Sequence, residues 1–78
     1  MSYNICLTKR EIEVVRLLAD ENTTEEIAQK LFVSTHTVES HRKNILSKIQ
    51  AKNVVGVIKF ALKTGILELD FLLSNSRS

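Results

Sequence analysis

The chain has 78 residues, of which 44% are hydrophobic and 26% charged, and its formal net charge is +2. This length allows one small domain, and the composition is that of a globular protein rather than a disordered one. No apolar run is long enough to span a membrane, there is no signal-peptide layout, and the lack of proline disfavours a turn-rich β fold.

The first predicted helix begins after Thr8. Thr8 and Glu11 form a capping-box pattern, in which the hydroxyl accepts from the third helical amide and the glutamate reaches back to the cap. We expect this helix to run over about 9–20 and to bury a stripe of aliphatic residues. The stripe comprises Ile12, Val14, Val15, Leu17, Leu18 and Ala19.

A second capping-box pattern, Thr23 with Glu26, predicts a helix over about 24–31. The inward residues of this helix are expected to be Ile27, Ala28 and Leu31. The next two residues, Phe32 and Val33, are predicted to form a short turn and to add contacts to the core.

The third predicted helix, about 35–50, has an N-cap at Ser34 and two contrasting faces. The inward face carries Val38, His41, Ile45 and Ile49. The opposite side, called the outer face from here on, carries His36, Glu39, Ser40, Lys43 and Ser47. A helix with an apolar back and hydrogen-bonding side chains in front suits the major groove of DNA.

Positive charge is concentrated in the same part of the chain. Residues 8–31 carry four basic and six acidic side chains, whereas residues 32–52 carry four basic side chains and a single acid, Glu39. A phosphate-facing surface needs such an excess of cations. A solvated helix face would show the same pattern, so charge alone leaves both interpretations open.

Asn53 as an N-cap and Gly65 as a left-handed C-cap predict a fourth helix over about 54–64. The expected inward residues are Val54, Ile58, Ala61 and Leu62, with Val57 at their edge. Gly56 and Phe60 lie outside this stripe, one turn apart. Phe60 is either a lone exposed apolar residue or, with Gly56 allowing close approach, part of a self-association patch.

Beyond the fourth helix, the segment Ile66 to Leu73 is either a short helical extension folded against the first helix or a dimer contact, and the last five residues are expected to be disordered. The single Cys6 cannot form an internal disulfide, which fits a reducing cytoplasm, and it is expected to pack as a small hydrophobe. His36 and His41 project in different directions on a helix, so no metal site is expected.

Many of these residues fall in one unbroken register. They are Leu7-Thr8-Lys9-Arg10-Glu11, Glu26-Ile27-Ala28, Leu31, Val33-Ser34, Thr37-Val38, His41, Ile45 and Lys48. Together they resemble the LuxR-type helix-turn-helix domain, and in particular the NarL/FixJ branch of bacterial response regulators. The resemblance covers about residues 7–67 and implies an all-α, four-helix domain with its helix-turn-helix motif at about 24–43. Residues 1–6 are then a lead-in, and residues 68–78 a C-terminal tail.

The resemblance implies a transcriptional regulator that binds double-stranded promoter DNA as a homodimer through its fourth helix, in the bacterial cytoplasm and without a cofactor. The base-contacting positions of the family correspond here to Glu39, Ser40 and Lys43. Phosphate contacts are expected from Thr23, Thr35, Thr37, Arg42 and Lys48. Dimer contacts are expected from Gly56, Val57 and Phe60. Further expected partners are RNA polymerase and, in longer chains, an upstream receiver domain. We expect the chain to be an excised output domain rather than a stand-alone regulator.

Three residues need separate interpretation. Glu39 stands where some members of the family have lysine, and it could accept a hydrogen bond from cytosine N4 or orient Lys43 or Arg42. His41 lies on the inward face and is expected to pack there rather than read bases. Glu21 stands where the family often has glycine, and it is expected to strain or lengthen the turn before the second helix.

Two other kinds of function compete with DNA binding. A helical protein-interaction module would need an aromatic or aliphatic anchor on the outer face, which has none. An enzyme would need a nucleophile elbow, a phosphate loop or paired carboxylates, and the sequence shows none of these patterns. No catalytic residue is therefore expected.

Overall fold

The computed structural model describes residues 7–67, which form four α-helices joined by short turns. Helix α1 spans Lys9–Ala19, α2 spans Thr24–Leu31, α3 spans Thr35–Ile49 and α4 spans Val54–Thr64. The expected all-α, four-helix fold is confirmed, and each helix begins where the sequence predicts. The predictions for the lead-in 1–6 and the tail 68–78 lie outside the described residues.

Both α1 and α2 begin with complete capping boxes. The Thr8 hydroxyl accepts from the Glu11 amide at 3.1 Å, and the Thr8 amide donates to Glu11 Oε1 at 2.8 Å. Thr23 and Glu26 form the same pair of bonds, also at 3.1 and 2.8 Å. Each box pairs backbone amides that a helix start would otherwise leave without a partner, which fixes where the two helices begin.

The three remaining predicted caps are also confirmed. Ser34 Oγ accepts from the Thr37 amide at 3.1 Å, and Asn53 Oδ1 accepts from the Gly56 amide at 3.3 Å. Gly65 ends α4 with φ of +87°, a left-handed conformation that costs glycine little because it has no Cβ.

Two clusters of buried aliphatic side chains make up the core. The larger cluster joins α1, α3, α4 and the chain beyond α4, through Val14, Val15, Ile45, Val57, Ala61 and Leu67. The smaller cluster joins α2 to the first half of α3, through Ile27, Ala28 and Val38. Helix α3 therefore belongs to both clusters, and its two halves are anchored by different parts of the domain.

The turn between α2 and α3 differs from the prediction at Phe32. Phe32 is 93% exposed, so the expected core contact of this side chain is wrong. Phe32 is the C-cap of α2 and has a left-handed backbone, with φ of +58°. This conformation reverses the chain, so that Val33 packs against the smaller cluster while Phe32 lies in solvent. Periodicity could not predict this outcome, because it does not apply to a residue outside the helix.

The buried side of α4 is also turned relative to the prediction. Val57 is only 2% exposed, whereas Leu62 is 38% exposed, so the expected edge position of Val57 and inward position of Leu62 are both wrong. Because α4 packs against both α1 and α3, its buried stripe centres on Val57 and Ala61, one turn apart. The Val57 side chain fills the core of the monomer, which rules it out as a direct dimer contact.

Candidate nucleic-acid interface

Helices α2 and α3 and the turn between them form the helix-turn-helix. All five residues of the outer face are exposed, while Val38 and Ile45 on the opposite side of α3 are fully buried. His41 and Ile49 are half-buried on the inward side, as expected. The prediction of a helix anchored on its apolar side with a solvent-facing polar side is confirmed, and contact of that polar side with DNA stays a prediction.

Glu39 is tied to both helices of the motif. Thr24 Oγ1 on α2 donates to Glu39 Oε2 at 3.2 Å, and Arg42 Nη1 lies 3.8 Å from Glu39 Oε1. Glu39, Arg42, Lys43 and Leu46 line a shallow groove of about 340 Å³ on the same surface. Glu39 therefore lies within ion-pair distance of Arg42, and the expected orientation of Arg42 by Glu39 stays a prediction. Its carboxylate keeps lone pairs that a cytosine amine could use.

Three of the five residues expected to contact phosphate lie near the starts of α2 and α3. Thr23 and Thr35 are exposed and Thr37 is half-buried, and the Thr37 hydroxyl lies 3.0 Å from Ser34 Oγ. Arg42 is half-buried on the flank of α3 beside the outer face. A helix start presents free amides and a partial positive charge, so these two ends suit a phosphate backbone.

Lys48 has a partner inside the domain. Lys48 Nζ donates to Glu11 Oε1 at 2.7 Å, and Glu11 is only 4% exposed. Burial raises the pKa of Glu11, but the hydrogen bonds from Lys48 and Thr8 and the charge of Lys48 lower it more, so the pKa lies below its ordinary value. This ion pair joins the start of α1 to the second half of α3. The expected phosphate contact of Lys48 thus competes with a carboxylate.

The Glu11–Lys48 pair was missed from the sequence because its members are 37 residues apart. The capping-box pattern indicated one role for Glu11, on the backbone of its own helix, and gave no sign of a second. From the sequence alone, a lysine on the flank of α3 is equally consistent with a phosphate contact and with an ion pair inside the domain. Only the packing of α1 against α3 distinguishes them.

The turn before α2 holds a second polar contact that was not predicted. Asn22 is buried, its Nδ2 donates to the Leu17 carbonyl at 2.9 Å, and Lys30 Nζ donates to its Oδ1 at 2.8 Å. Glu21 has φ of +61°, so the expected backbone strain at this residue is confirmed. Asn22 fixes the path of the chain between α1 and Thr23, and so the position of the start of α2.

The residues expected to form the dimer contact have different surroundings. A Cβ on Gly56 would lie 3.0 Å from Ala51 Cβ, so the glycine already serves a close approach within the chain. Phe60 is half-buried and lines a groove of about 290 Å³, called the α4 groove from here on. The groove is lined by Ile49, Gln50, Ala51, Gly56, Lys59, Phe60 and Lys63.

Neither a metal site nor a membrane span is found in the described part of the chain. Within residues 7–67, no group of three or more His, Cys, Asp and Glu side chains could hold a metal ion. None of the four described helices is long and apolar enough to cross a membrane.

A helix-turn-helix with a buried apolar back and an exposed polar row on its second helix defines a DNA-binding domain of a transcription regulator. The chain belongs to the luxR family of bacterial regulatory proteins, whose sequence pattern matches residues 6–61. It is 44% identical over 62 residues to the oxygen regulatory protein NreC of Staphylococcus aureus strains JH9, JH1 and USA300. The match covers 80% of this chain but only 29% of NreC, so the chain spans less than a third of these relatives.

Proposed function

We propose that the domain recognises a specific promoter sequence by placing α3 in the major groove of double-stranded DNA. The observation that carries this proposal is the contrast across α3, with Val38 and Ile45 buried on one side and the whole outer face exposed on the other. A major groove about 12 Å wide admits an α-helix, and sequence is read there by side chains that reach base edges.

Within this docking, Glu39, Ser40 and Lys43 contact bases. Lys43 donates to guanine O6 and N7, and Glu39 accepts from cytosine N4. The phosphate backbone is held by Arg42 and by hydroxyls and amides at the starts of α2 and α3, with Thr23, Thr35 and Thr37 at those ends. Lys48 can contact a phosphate only if it breaks its ion pair with Glu11, so it contributes less to DNA affinity than Arg42 does.

We propose that two copies bind adjacent half-sites and that α4 mediates their contact, through the exposed surface around Gly56 and Phe60. The chain then acts as the output domain of a longer regulator, with an upstream receiver domain in the bacterial cytoplasm. This part of the proposal follows from the resemblance to the NarL/FixJ branch and from the greater length of the NreC relatives.

Selection of bound duplexes from a random DNA pool, followed by a salt titration on the recovered site, tests the proposal. We expect one enriched sequence with two related half-sites. Affinity for it should fall by about a hundredfold or more between roughly 50 and 200 mM salt, because neutralised phosphates release counterions. No enrichment, with an affinity that does not change with salt, would instead favour a protein-interaction module.

A further inference from the structure

We infer that Asn44 is a further base-reading residue of α3, and that its side-chain amide recognises an adenine in the major groove. Its role depends on the proposed docking of α3 and deepens it, because Asn44 belongs neither to the outer face nor to the base-contacting positions that the resemblance implies. The adenine lies on the strand opposite to the one that Glu39 contacts.

Asn44 is exposed, and its side chain has no structural role in the described part of the chain. It is the tenth of the fifteen residues of α3, so it lies too far from either end to cap the helix. Its amide forms no hydrogen bond with any residue between 7 and 67. Because asparagine is a poorer helix former than alanine, Asn44 weakens α3 without a hydrogen bond that would offset the loss.

Asn44 and Glu39 occupy matching positions on the two sides of the exposed surface of α3. Val38 and Ile45 are fully buried, so they mark the inward direction of the helix. At about 100° per residue, the direction opposite to them passes within about 10° of Ser47. Glu39 lies about 70° to one side of this outward direction, and Asn44 lies about 70° to the other side.

A position about 70° from the outward direction suits base edges better than phosphates. Glu39 occupies such a position, and its carboxylate is repelled by phosphate but can accept a hydrogen bond from cytosine. The cations suited to phosphate lie farther round the helix, with Lys48 about 110° and Arg42 about 130° from the outward direction. Asn44 therefore lies within the part of α3 that faces bases in the proposed docking.

The side-chain amide of asparagine matches the major-groove edge of adenine. Nδ2 of Asn44 donates to adenine N7, and its Oδ1 accepts from the N6 amine, so one side chain forms two hydrogen bonds to one base. Guanine presents two acceptors on this edge, thymine one acceptor and cytosine one donor. Each of these three bases therefore satisfies only part of the amide, which makes adenine the preferred base.

The position of Asn44 also predicts where the adenine lies. The two sides of a helix in the major groove face the two strands, so Glu39 and Asn44 contact opposite strands. These two residues are about 7 Å apart along the axis of α3, at about 1.5 Å per residue, which equals about two base-pair steps. We therefore expect the adenine about two base pairs from the cytosine that Glu39 contacts.

Parallel selections from a random DNA pool, with the unmodified chain and with Asn44→Ala, test whether Asn44 reads a base. We expect the two enriched sites to agree except at one position of each half-site, where only the unmodified chain requires adenine. The control Gln29→Ala removes an exposed amide from α2 and should select the same site as the unmodified chain. If Asn44→Ala kept every base preference of the unmodified chain, Asn44 would read no base and the inference would be wrong.

Titrations of the selected duplex distinguish a base contact from a phosphate contact. Replacing the adenine by another base should weaken binding of the unmodified chain by about 10- to 100-fold, and Asn44→Ala should lose most of this discrimination. The analogue 7-deazaadenine keeps its pairing with thymine but lacks N7, so it should weaken the unmodified chain and leave Asn44→Ala unaffected. An equal loss of affinity in Asn44→Ala for every base at this position would assign Asn44 to a phosphate and overturn the inference.

Thermal unfolding of Asn44→Ala shows whether the side chain serves stability instead. We expect an unchanged or slightly higher unfolding temperature, because alanine is the better helix former. A lower unfolding temperature together with an equal loss of affinity for every sequence would make Asn44 a structural residue, contrary to the inference.

The unmodified chain and Lys43→Ala report separately on the proposed function. If the unmodified chain enriched no sequence, α3 would not read DNA, and the role of Asn44 would fail with the proposed function. If the chain enriched a site that Lys43→Ala binds weakly and Asn44→Ala binds normally, the proposed function would stand and only the role of Asn44 would be refuted.

Discussion

Lys48 on α3 holds the carboxylate of Glu11 on α1 at 2.7 Å, within a helix cap that the same carboxylate completes. One buried acid thus fixes the start of α1 and also contributes to the attachment of α3 to α1. Hydrogen bonds to a charged group typically stabilise a protein by about 1.5–3 kcal/mol. The contact therefore adds to the aliphatic packing that attaches α3 to the rest of the domain.

We expect Glu11→Gln to lower the free energy of unfolding at pH 7 by about 1–2 kcal/mol, since glutamine keeps the cap but loses the charged bond. The pKa of Glu11 is lower in the folded state than in the unfolded state. The stabilisation that its ionised form provides is therefore complete when the pH is above the pKa of the unfolded state, and it is lost as the pH falls through the pKa of the folded state. Urea denaturation between pH 7 and pH 3 should show that the free energies of unfolding of the unmodified chain and of Glu11→Gln converge in acid. A difference that stays constant with pH would contradict the ionised pair.

Phe32→Gly should leave stability unchanged or raise it by up to about 1 kcal/mol, because glycine adopts the left-handed C-cap conformation without steric cost. The side chain is 93% exposed, so its removal forfeits almost no burial. Thermal unfolding followed by circular dichroism measures the change, and Phe32→Ala, which keeps the unfavourable backbone, is the control. A loss of more than about 1 kcal/mol in both variants would mean that Phe32 packs after all.

Phe60→Glu should leave a folded monomer but weaken occupancy of two adjacent DNA half-sites, since the charge disrupts the α4 contact between copies. Val57→Ala is the contrasting variant, and it should cost about 2 kcal/mol of folding stability because Val57 lies in the core. Chemical denaturation and gel-shift titration on one-site and two-site duplexes separate the two effects. If Phe60→Glu unfolded the chain, Phe60 would be a core residue.

Glu39→Gln should relax the preference for cytosine at one position of the site by about 1–3 kcal/mol while slightly strengthening binding to unrelated DNA, because a negative charge is removed from the interface. Thr24→Val, which removes only the bond to Glu39, should cause a smaller loss of discrimination. Competition titrations with all four base pairs at that position provide the measurement. Unchanged discrimination in Glu39→Gln would leave Glu39 as an orienting residue for Arg42 alone.

The sequence predicts local features of this fold well. The caps at Thr8, Thr23 and Ser34 are formed by residues three positions apart, so their geometry is determined within one helical turn. The two faces of α3 follow from periodicity, because Val38 and Ile45 lie on the same side of any helix that contains them.

Features that depend on packing between distant segments could not be predicted. The rotation of α4 that buries Val57 and exposes Leu62 depends on its simultaneous contact with α1 and α3, and both choices fit a helical period. The Glu11–Lys48 pair likewise requires two helices to meet. For the candidate interface, the sequence predicts which side chains share a face, but the bond between Thr24 and Glu39 appears only once α2 and α3 are packed together.

The affinity of Lys43→Ala for the selected duplex, compared with that of Lys9→Ala, tests the central claim most directly. Both variants lose one positive charge from an exposed lysine, but only Lys43 lies on the outer face of α3. We predict that Lys43→Ala loses about 1–3 kcal/mol of specific binding, with unchanged circular dichroism, and that Lys9→Ala loses much less. Equal affinities for the two folded variants would contradict recognition through the outer face.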